Sequence, residues 1–203
     1  MKEQFEEIYS ENKWLHGSGE GSQPHHTKSY VSFLQDFLGK NNIKSVVDMG
    51  CGDWQFSQFI DWKGIDYQGF DVVTSVIEAN KKRFSSPGVR FNLAAGNGAD
   101  LPVANLLIAK DVLQHWSNES VKAFLPNFKK YDYCLITNCV NPNGNTTNDN
   151  IENGGFRYLD LRLPPFAIQA EELFSFTNNR GIIGSLLSKP RWLKKVLLVR
   201  NHK

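Results

Sequence analysis

An apolar run that ends in an acid and two closely spaced glycines, VVDMGCGDW from Val46 to Trp54, constrains this chain more than any other stretch. Val46 and Val47 suit a buried strand, and Gly50 and Gly52 suit a tight turn opening a short helix. Nineteen residues beyond Gly52 a second strand-like run, YQGFD, ends in Asp71. With this spacing an α/β domain sets a carboxylate on a ribose while glycine backbone approaches the rest of a nucleoside ligand. A dinucleotide fingerprint would carry a third glycine at position 55, which is Gln55, and a phosphate loop would carry a lysine after the turn, which is missing. The expected ligand therefore lacks phosphate. Asp48 and Asp53 flank the turn and suit a cationic or amino-acid group.

Strand and helix signals alternate on both sides of this motif. Lys44 to Met49, Tyr67 to Asp71, Val89 to Leu93, Ala104 to Ala109 and Tyr131 to Asn138 read as strands. Trp54 to Ile60, Thr74 to Phe84 with Thr74 as its cap, and a segment after Asn118 read as helices. Glu171 to Phe176 and Lys194 to Arg200 read as two closing strands. The pattern predicts a single α/β domain built on a doubly wound sheet of about seven mostly parallel strands.

Ahead of it, residues 1 to 15 place Phe5, Ile8 and Tyr9 on one helical face. His16 to Thr27, rich in glycine and serine, reads as irregular chain suited to a lid, and Lys28 to Gly39 as a helix capped by Gly39. The expected organisation is an N-terminal helix and lid over 1–27 and the α/β domain over 28–203. An insertion at about 140–166 opens with an Asn-rich loop. Within it GFRYLDLRLPPF, if extended, sets Arg157 and Leu159 on one face and Tyr158, Asp160 and Arg162 on the other.

With 203 residues, 40% apolar and 22% charged, the chain has enough apolar content for one well-cored domain. A formal charge of +2 argues against a large nucleic-acid footprint. The basic residues from Lys189 to Lys203 read as a solvated strand flank. Three cysteines fit free thiols in a reducing compartment, with Cys51 a small packing residue. No apolar run reaches signal-peptide or membrane-spanning length, so a cytoplasmic protein without membrane association is expected.

VVDMGCGDW resembles the first motif of class I S-adenosylmethionine-dependent methyltransferases. GFDVV, from Gly69 to Val73, resembles their second strand with its ribose-binding acid, and ANLLIAKDVLQHW, from Ala104 to Trp116, their fourth-strand region. The resemblance covers about residues 28 to 140 and implies a Rossmann-like fold. It implies S-adenosylmethionine as cofactor, S-adenosylhomocysteine as product, and Asp71 on the ribose hydroxyls with Val72 beside it. Gly50, Cys51, Gly52 and Asp48 would line the methionine moiety, and Lys110 and Asp111 would sit beside the transferred methyl. The family often has an acid after the third strand for the adenine amino group. Ala95 stands there, so Asn97 or a backbone carbonyl is the expected substitute. WLHGSGEGSQPHHT and GFRYLDLRLPPF resemble additions in a bacterial subgroup, some members of which accompany surface-polysaccharide (capsule) biosynthesis.

Asp111 and His115 are four residues apart and share a face if that segment is helical. His115 would then take a proton from the acceptor, with Asp111 orienting it; alternatively His115 packs over the cofactor. In the lid, Trp14, Gly17, Ser18 and Gly19 would meet the methionine end. His25 and His26 are competing proton acceptors and acceptor contacts. Arg157 and Arg162 would clamp an acceptor carboxylate or phosphate, or form a solvated ion pair with Asp160. No spacing points to a metal. The reading is methyl transfer to an oxygen, in preference to nitrogen, of a small polar metabolite or sugar derivative. RNA or protein methylation, nicotinamide-dependent oxidoreduction and a non-catalytic cofactor-binding subunit are the alternatives.

Overall fold

The computed structural model describes residues 1–178 and 191–201. One sheet of seven strands forms the centre: β1 (Ser45–Met49), β2 (Asp66–Asp71), β3 (Val89–Leu93), β4 (Ala104–Lys110), β5 (Tyr131–Val140), β6 (Glu171–Thr177) and β7 (Leu193–Arg200). The spatial order is β3-β2-β1-β4-β5-β7-β6. β1 to β5 pair in parallel, β7 runs antiparallel to β5, and β6 is antiparallel to β7. The order reverses beside β1, and open α/β sheets bind ligands outside the strand carboxyl ends at such a reversal.

Both sheet faces are buried, which is why the strands read as continuous apolar runs. Val46, Leu106, Ile108, Leu135, Val196 and Leu198 point to one side, where helix α2 (Pro24–Lys40) adds Tyr30, Leu34, Phe37 and Leu38. Val47, Leu107, Ala109, Ile136 and Leu197 point to the other. There α1 (Lys2–Ser10) adds Phe5 and Ile8, and α4 (Asn118–Phe124) adds Val121 and Phe124. Helix α3 (Thr74–Phe84) connects β2 to β3.

Four local expectations are corrected. Trp54 to Ile60 is not an α-helix; only a 3-10 turn, Ser57–Phe59, forms. Trp54 is buried at φ 60°, its Nε1 donating to Tyr67 Oη at 2.9 Å, and that left-handed residue interrupts any helix at its start. The stretch from His16 to Thr27 is not wholly irregular: Glu20–Ser22 is a 3-10 turn and α2 begins at Pro24, whose fixed φ suits a first helical position. Gly39 lies inside α2, which ends at Lys40. Thr74 does not cap α3; its hydroxyl donates to Glu6 Oε1 at 3.0 Å and so ties α3 to α1.

The segment from 141 to 170 has no regular element among its residues, so the strand alternation considered for GFRYLDLRLPPF does not apply. Buried Asn148 holds it instead. Its amide donates to the carbonyls of Asp160, Leu163 and Pro164 at 2.8, 3.2 and 3.0 Å, and its Oδ1 accepts from Asp160 N. Lys189 and Lys203 of the basic terminal stretch lie outside the described residues. No helix among the described residues is long and apolar enough to cross a membrane.

Candidate active site

A cleft enclosing about 910 Å³ of empty space, part of it open to solvent, runs along the carboxyl ends of β1, β2 and β4. At one end it is walled by Met1, Phe5, Val72, Ala94, Gly96 and Leu101. It then passes the turn from Gly50 to Asp53 and reaches Lys110, Asp111, Val112 and His115. Of the residues expected at the site, Trp14, Ser18, Asp48, Gly50, Cys51, Gly52, Asp71, Val72, Lys110, Asp111 and His115 line it.

Asp71 closes β2 and is 8% exposed. Its Oδ2 accepts from Gly52 N and its Oδ1 from Val73 N, both at 3.0 Å. Burial raises its pKa, and the backbone N–H donors around it oppose that rise. The same strand holds the rest of the turn, because Phe70 O accepts from Gly50 N at 2.7 Å and from Cys51 N at 3.0 Å. Asp53 N donates to Ser18 Oγ at 2.9 Å. The amides of residues 50 to 53 are therefore all engaged within the protein. The glycines admit a ligand's close approach, but their N–H groups do not reach out to it as expected, and no helix dipole follows them. Such a turn offers no nest for a phosphate.

Asp48, also buried, accepts from Tyr67 Oη at 2.6 Å, and burial lifts its pKa to about 6. Burial likewise raises the Cys51 thiol, leaving it inert.

The N-terminal segment clasps this turn from outside. Ser18 Oγ lies 2.8 Å from Tyr9 Oη, and Ser18 N donates to Asp53 Oδ2 at 3.3 Å. Gln55 Nε2 donates to His16 O and to Asp53 Oδ2 at 2.6 and 2.7 Å. Trp14 packs against Phe5, Tyr9 and His115 with ring centroids 5.9, 5.8 and 4.8 Å apart. Gly17 does not line the cleft; it abuts Asp53 at φ 71°.

At the far end, Asp111 is itself left-handed at φ 60°. Lys110 Nζ donates to Asp111 Oδ2 at 2.5 Å and to Gly21 O at 3.2 Å. Lys194 Nζ, from β7, donates to the same carboxylate oxygen and to the same carbonyl. The two ammoniums outweigh burial and lower the Asp111 pKa, whereas burial lowers that of Lys110 to about 8. Asp111 therefore does not orient His115, and the segment is a 3-10 turn, Leu113–His115, not an α-helix. Gly155 O takes that part: it lies 2.7 Å from His115 Nδ1, which makes Nδ1 the protonated nitrogen and leaves the lone pair on Nε2. Burial lowers the His115 pKa, so the ring is neutral at pH 7.

The remaining expected residues lie elsewhere. Asn97 turns its Oδ1 back to Ala99 N at 3.0 Å, and Ala95 N donates to Asp100 Oδ2 at 2.8 Å. The rings of His25 and His26 lie tilted against each other with centroids 3.8 Å apart, His26 Nε2 is 3.4 Å from Glu20 Oε1, and neither lines the cleft. Arg157 is buried and donates to Asn118 Oδ1, Asp149 O and Trp116 O at 2.6, 2.7 and 2.8 Å. It braces the loops behind the cleft and has no access to an acceptor. Arg162 forks onto Asp160 at 2.9 and 2.7 Å and reaches Glu172 at 3.1 Å, which is the ion-pair alternative. No group of three or more metal-ligating side chains gathers among the described residues.

Lys194 was not anticipated. Strand alternation carries the signal, since Lys194 shares the face of Val196 and Leu198, which is buried. The wall formed by Met1, Phe5 and Tyr9 could not be foreseen, because no local pattern says where α1 docks.

No family model matches the chain, and no curated protein matches it in sequence. Solved structures do. The 1,6-didemethyltoxoflavin-N1-methyltransferase of Burkholderia thailandensis, solved with 1,6-didemethyltoxoflavin and S-adenosylhomocysteine, is similar with TM-score 0.67. The match covers 100% of this chain and 87% of that one at 14% identity. The methyltransferase domain of bacterial CtHen1-C is similar over 85% of this chain and 97% of its own (TM-score 0.60, 15% identity). Magnesium protoporphyrin IX methyltransferase from Synechocystis PCC 6803, solved with S-adenosylhomocysteine, is similar over 86% and 83% (TM-score 0.58, 14% identity). At such identities the likeness establishes a shared fold, the Rossmann-like fold of class I methyltransferases.

Proposed function

We propose that the protein is a methyltransferase that takes its methyl group from S-adenosylmethionine and delivers it to an oxygen, in preference to a nitrogen, of a small polar acceptor such as a sugar derivative. The observation that carries this reading is Asp71, a buried carboxylate at the carboxyl end of β2, on the wall of a cleft with an apolar end and a glycine turn. The residues present fit the donor. Met1, Phe5, Val72, Ala94 and Leu101 suit a flat base, Asp71 a ribose, and Asp48 an ammonium group. Engaged turn amides suit a ligand without phosphate, which disfavours a nicotinamide dinucleotide.

When bound, the sulfonium donor supplies an electrophilic methyl carbon. The chain's own residues must align the acceptor in line with it, exclude water and accept a proton. The segment ahead of α2 acts as the lid, with Trp14 and Ser18 against the cleft. His115 is the proton acceptor, because its lone pair sits on Nε2 while Nδ1–H is held by Gly155 O. Gln114 Nε2, 3.3 Å from that nitrogen, donates to the same lone pair, so the acceptor's proton must displace it.

Calorimetric titration with S-adenosylhomocysteine and with NADH tests the donor. The reading expects binding of the first alone and at least a tenfold loss in Asp71→Asn; binding of NADH alone would refute it. A His115→Gln variant that turned over the acceptor as fast as the parent would remove His115 from its role.

A further inference from the structure

We propose that Lys110, Asp111 and Lys194 form the anchor of the methyl acceptor, and that this acceptor is a small hydroxylated anion: a hydroxy acid or sugar carrying a carboxylate or phosphate. The inference rests on the donor reading above, which assigns the opposite end of the cleft. Three observations carry it.

Charge is the first. Two ammoniums, each almost wholly buried, converge on one carboxylate oxygen, leaving one positive charge in excess. Asp48 is the next carboxylate that Lys110 feels, and in the donor reading its charge is matched by the donor's ammonium, which leaves the excess at the lysines. Burying two lysines costs several kcal/mol per ion unless each is fully paired, and an apolar residue beside Val196 and Leu198 would pack β7 without that cost.

Hydrogen-bonding capacity is the second. Among the described residues each ammonium donates to Asp111 Oδ2 and Gly21 O. Lys110, which lines the cleft, keeps a third N–H for an incoming anion, whereas Lys194 sits behind it, 4.5 Å from the Trp192 ring centroid, and acts through its charge and its hold on Asp111. Asp111 Oδ1 is buried and has no hydrogen-bond partner among the described residues, so it is an acceptor for a ligand hydroxyl. The cluster thus asks for an anionic group and a hydroxyl on the same small molecule.

Access and shape are the third. Lys110 and Asp111 line the cleft together with Ser22 and Phe56, and the Lys110 ammonium lies 4.8 Å from the Phe56 ring centroid. Gly21 sits so close that a Cβ there would collide with Lys194 Nζ. The lid backbone is therefore seated on the cluster, and the lid and the anion site are one structure. Asp111 is held at positive φ, a strained backbone that places its carboxylate between the two ammoniums.

The test is calorimetric titration of D-glucuronate, glucose 6-phosphate, acetate and glucose into protein saturated with S-adenosylhomocysteine, at pH 7 and low ionic strength. Glucuronate or glucose 6-phosphate should bind at least tenfold more tightly than glucose and than acetate; the tighter of the two identifies the anion as carboxylate or phosphate. Lys194→Met should lose that binding at least tenfold while its S-adenosylhomocysteine affinity stays within twofold, and Lys194→Arg should restore it. Equal binding of glucuronate, glucose 6-phosphate and glucose, or no binding of either acid, overturns the proposal without touching the donor reading. So does a Lys194→Met variant whose S-adenosylhomocysteine affinity falls as far as its acid affinity, because the cluster would then hold the donor's own carboxylate. The comparison of ligands on the unaltered protein decides the matter even if the variants fold poorly. Failure of S-adenosylhomocysteine to bind at all would strike the donor reading instead.

Discussion

Replacing Asp48 by Asn should stabilise the protein at neutral pH while weakening donor binding. Asp48 is buried at the end of β1, and burial lifts its pKa from the ordinary 3.8 to about 6. That interval of about two pH units corresponds to about 3 kcal/mol of penalty for holding the carboxylate ionised in the folded state. The sign follows from proton binding. A folded-state pKa above the unfolded one means the folded protein binds the proton more tightly. The stabilisation is full below about pH 4 and is lost as pH rises through about 6.

Asn is neutral throughout, and its Oδ1 can still accept the Tyr67 hydroxyl that now donates to Asp48 at 2.6 Å. Losing the charge-assisted part of that bond, and a nearby anion for Lys110, costs about 1 kcal/mol. A net gain of roughly 1–2 kcal/mol remains, worth about 2–8 °C in a domain of this size. Differential scanning fluorimetry at pH 7.5 and pH 4 measures it, and calorimetry with S-adenosylhomocysteine measures the cost to binding. The gain should appear at pH 7.5 and vanish at pH 4. An Asp48→Asn protein that melts below the parent at pH 7.5, or keeps the same advantage at pH 4, refutes the reasoning.

Gly52→Ala should lower the melting temperature and cut S-adenosylhomocysteine affinity more than tenfold. Its φ of 54° disfavours a side chain by about 1–2 kcal/mol, and the new methyl collides with Ser18 Oγ and unseats the lid. Arg157→Met should cost roughly 2–4 kcal/mol in chemical denaturation, because the carbonyls of Trp116 and Asp149 lose a buried donor, yet leave S-adenosylhomocysteine affinity within twofold. The His115 ring should titrate below 6.5 by NMR, with Nδ1 protonated in its neutral form; a pKa above 6.5 would contradict its burial.

What could be read from the sequence was what periodicity encodes. Val89–Leu93 has the predicted limits, the helix Thr74–Phe84 differs only in starting at the residue expected to cap it, and β1, β2, β4 and β5 differ only at their ends, because runs buried on both sheet faces are bounded by acids, glycines or polar turns. Asp71 followed from the same logic, since a strand of known end delivers the acid at the carboxyl edge. Residues held by side chain–backbone bonds were beyond reach. Asn148 pins a segment without periodicity, and Arg157, judged a candidate clamp by its charge, is occupied by groups scattered over 116 to 149. Lys194 was missed for the opposite reason: a lysine in a basic run reads as solvated unless strand alternation is given more weight than composition.

The missing helix after the glycine turn bears on the chemistry. Where a helix N-terminus follows such a turn, its free amides and dipole favour an anion. Here Trp54 is buried in a left-handed conformation and the turn's amides are satisfied by Phe70 O, Asp71 and Ser18 Oγ. The turn becomes a neutral wall, and the positive charge of the cleft is moved to Lys110, with Lys194 behind it. A cationic donor and an anionic acceptor would then be sorted by the field of the cleft itself: Asp48 and Asp71 draw the donor to β1 and β2, and the two lysines repel it from the acceptor end. Ser18, bonded to the turn, and Gly21, seated on the lysines, are three residues apart in one lid segment, so closure over either ligand shapes the site for the other.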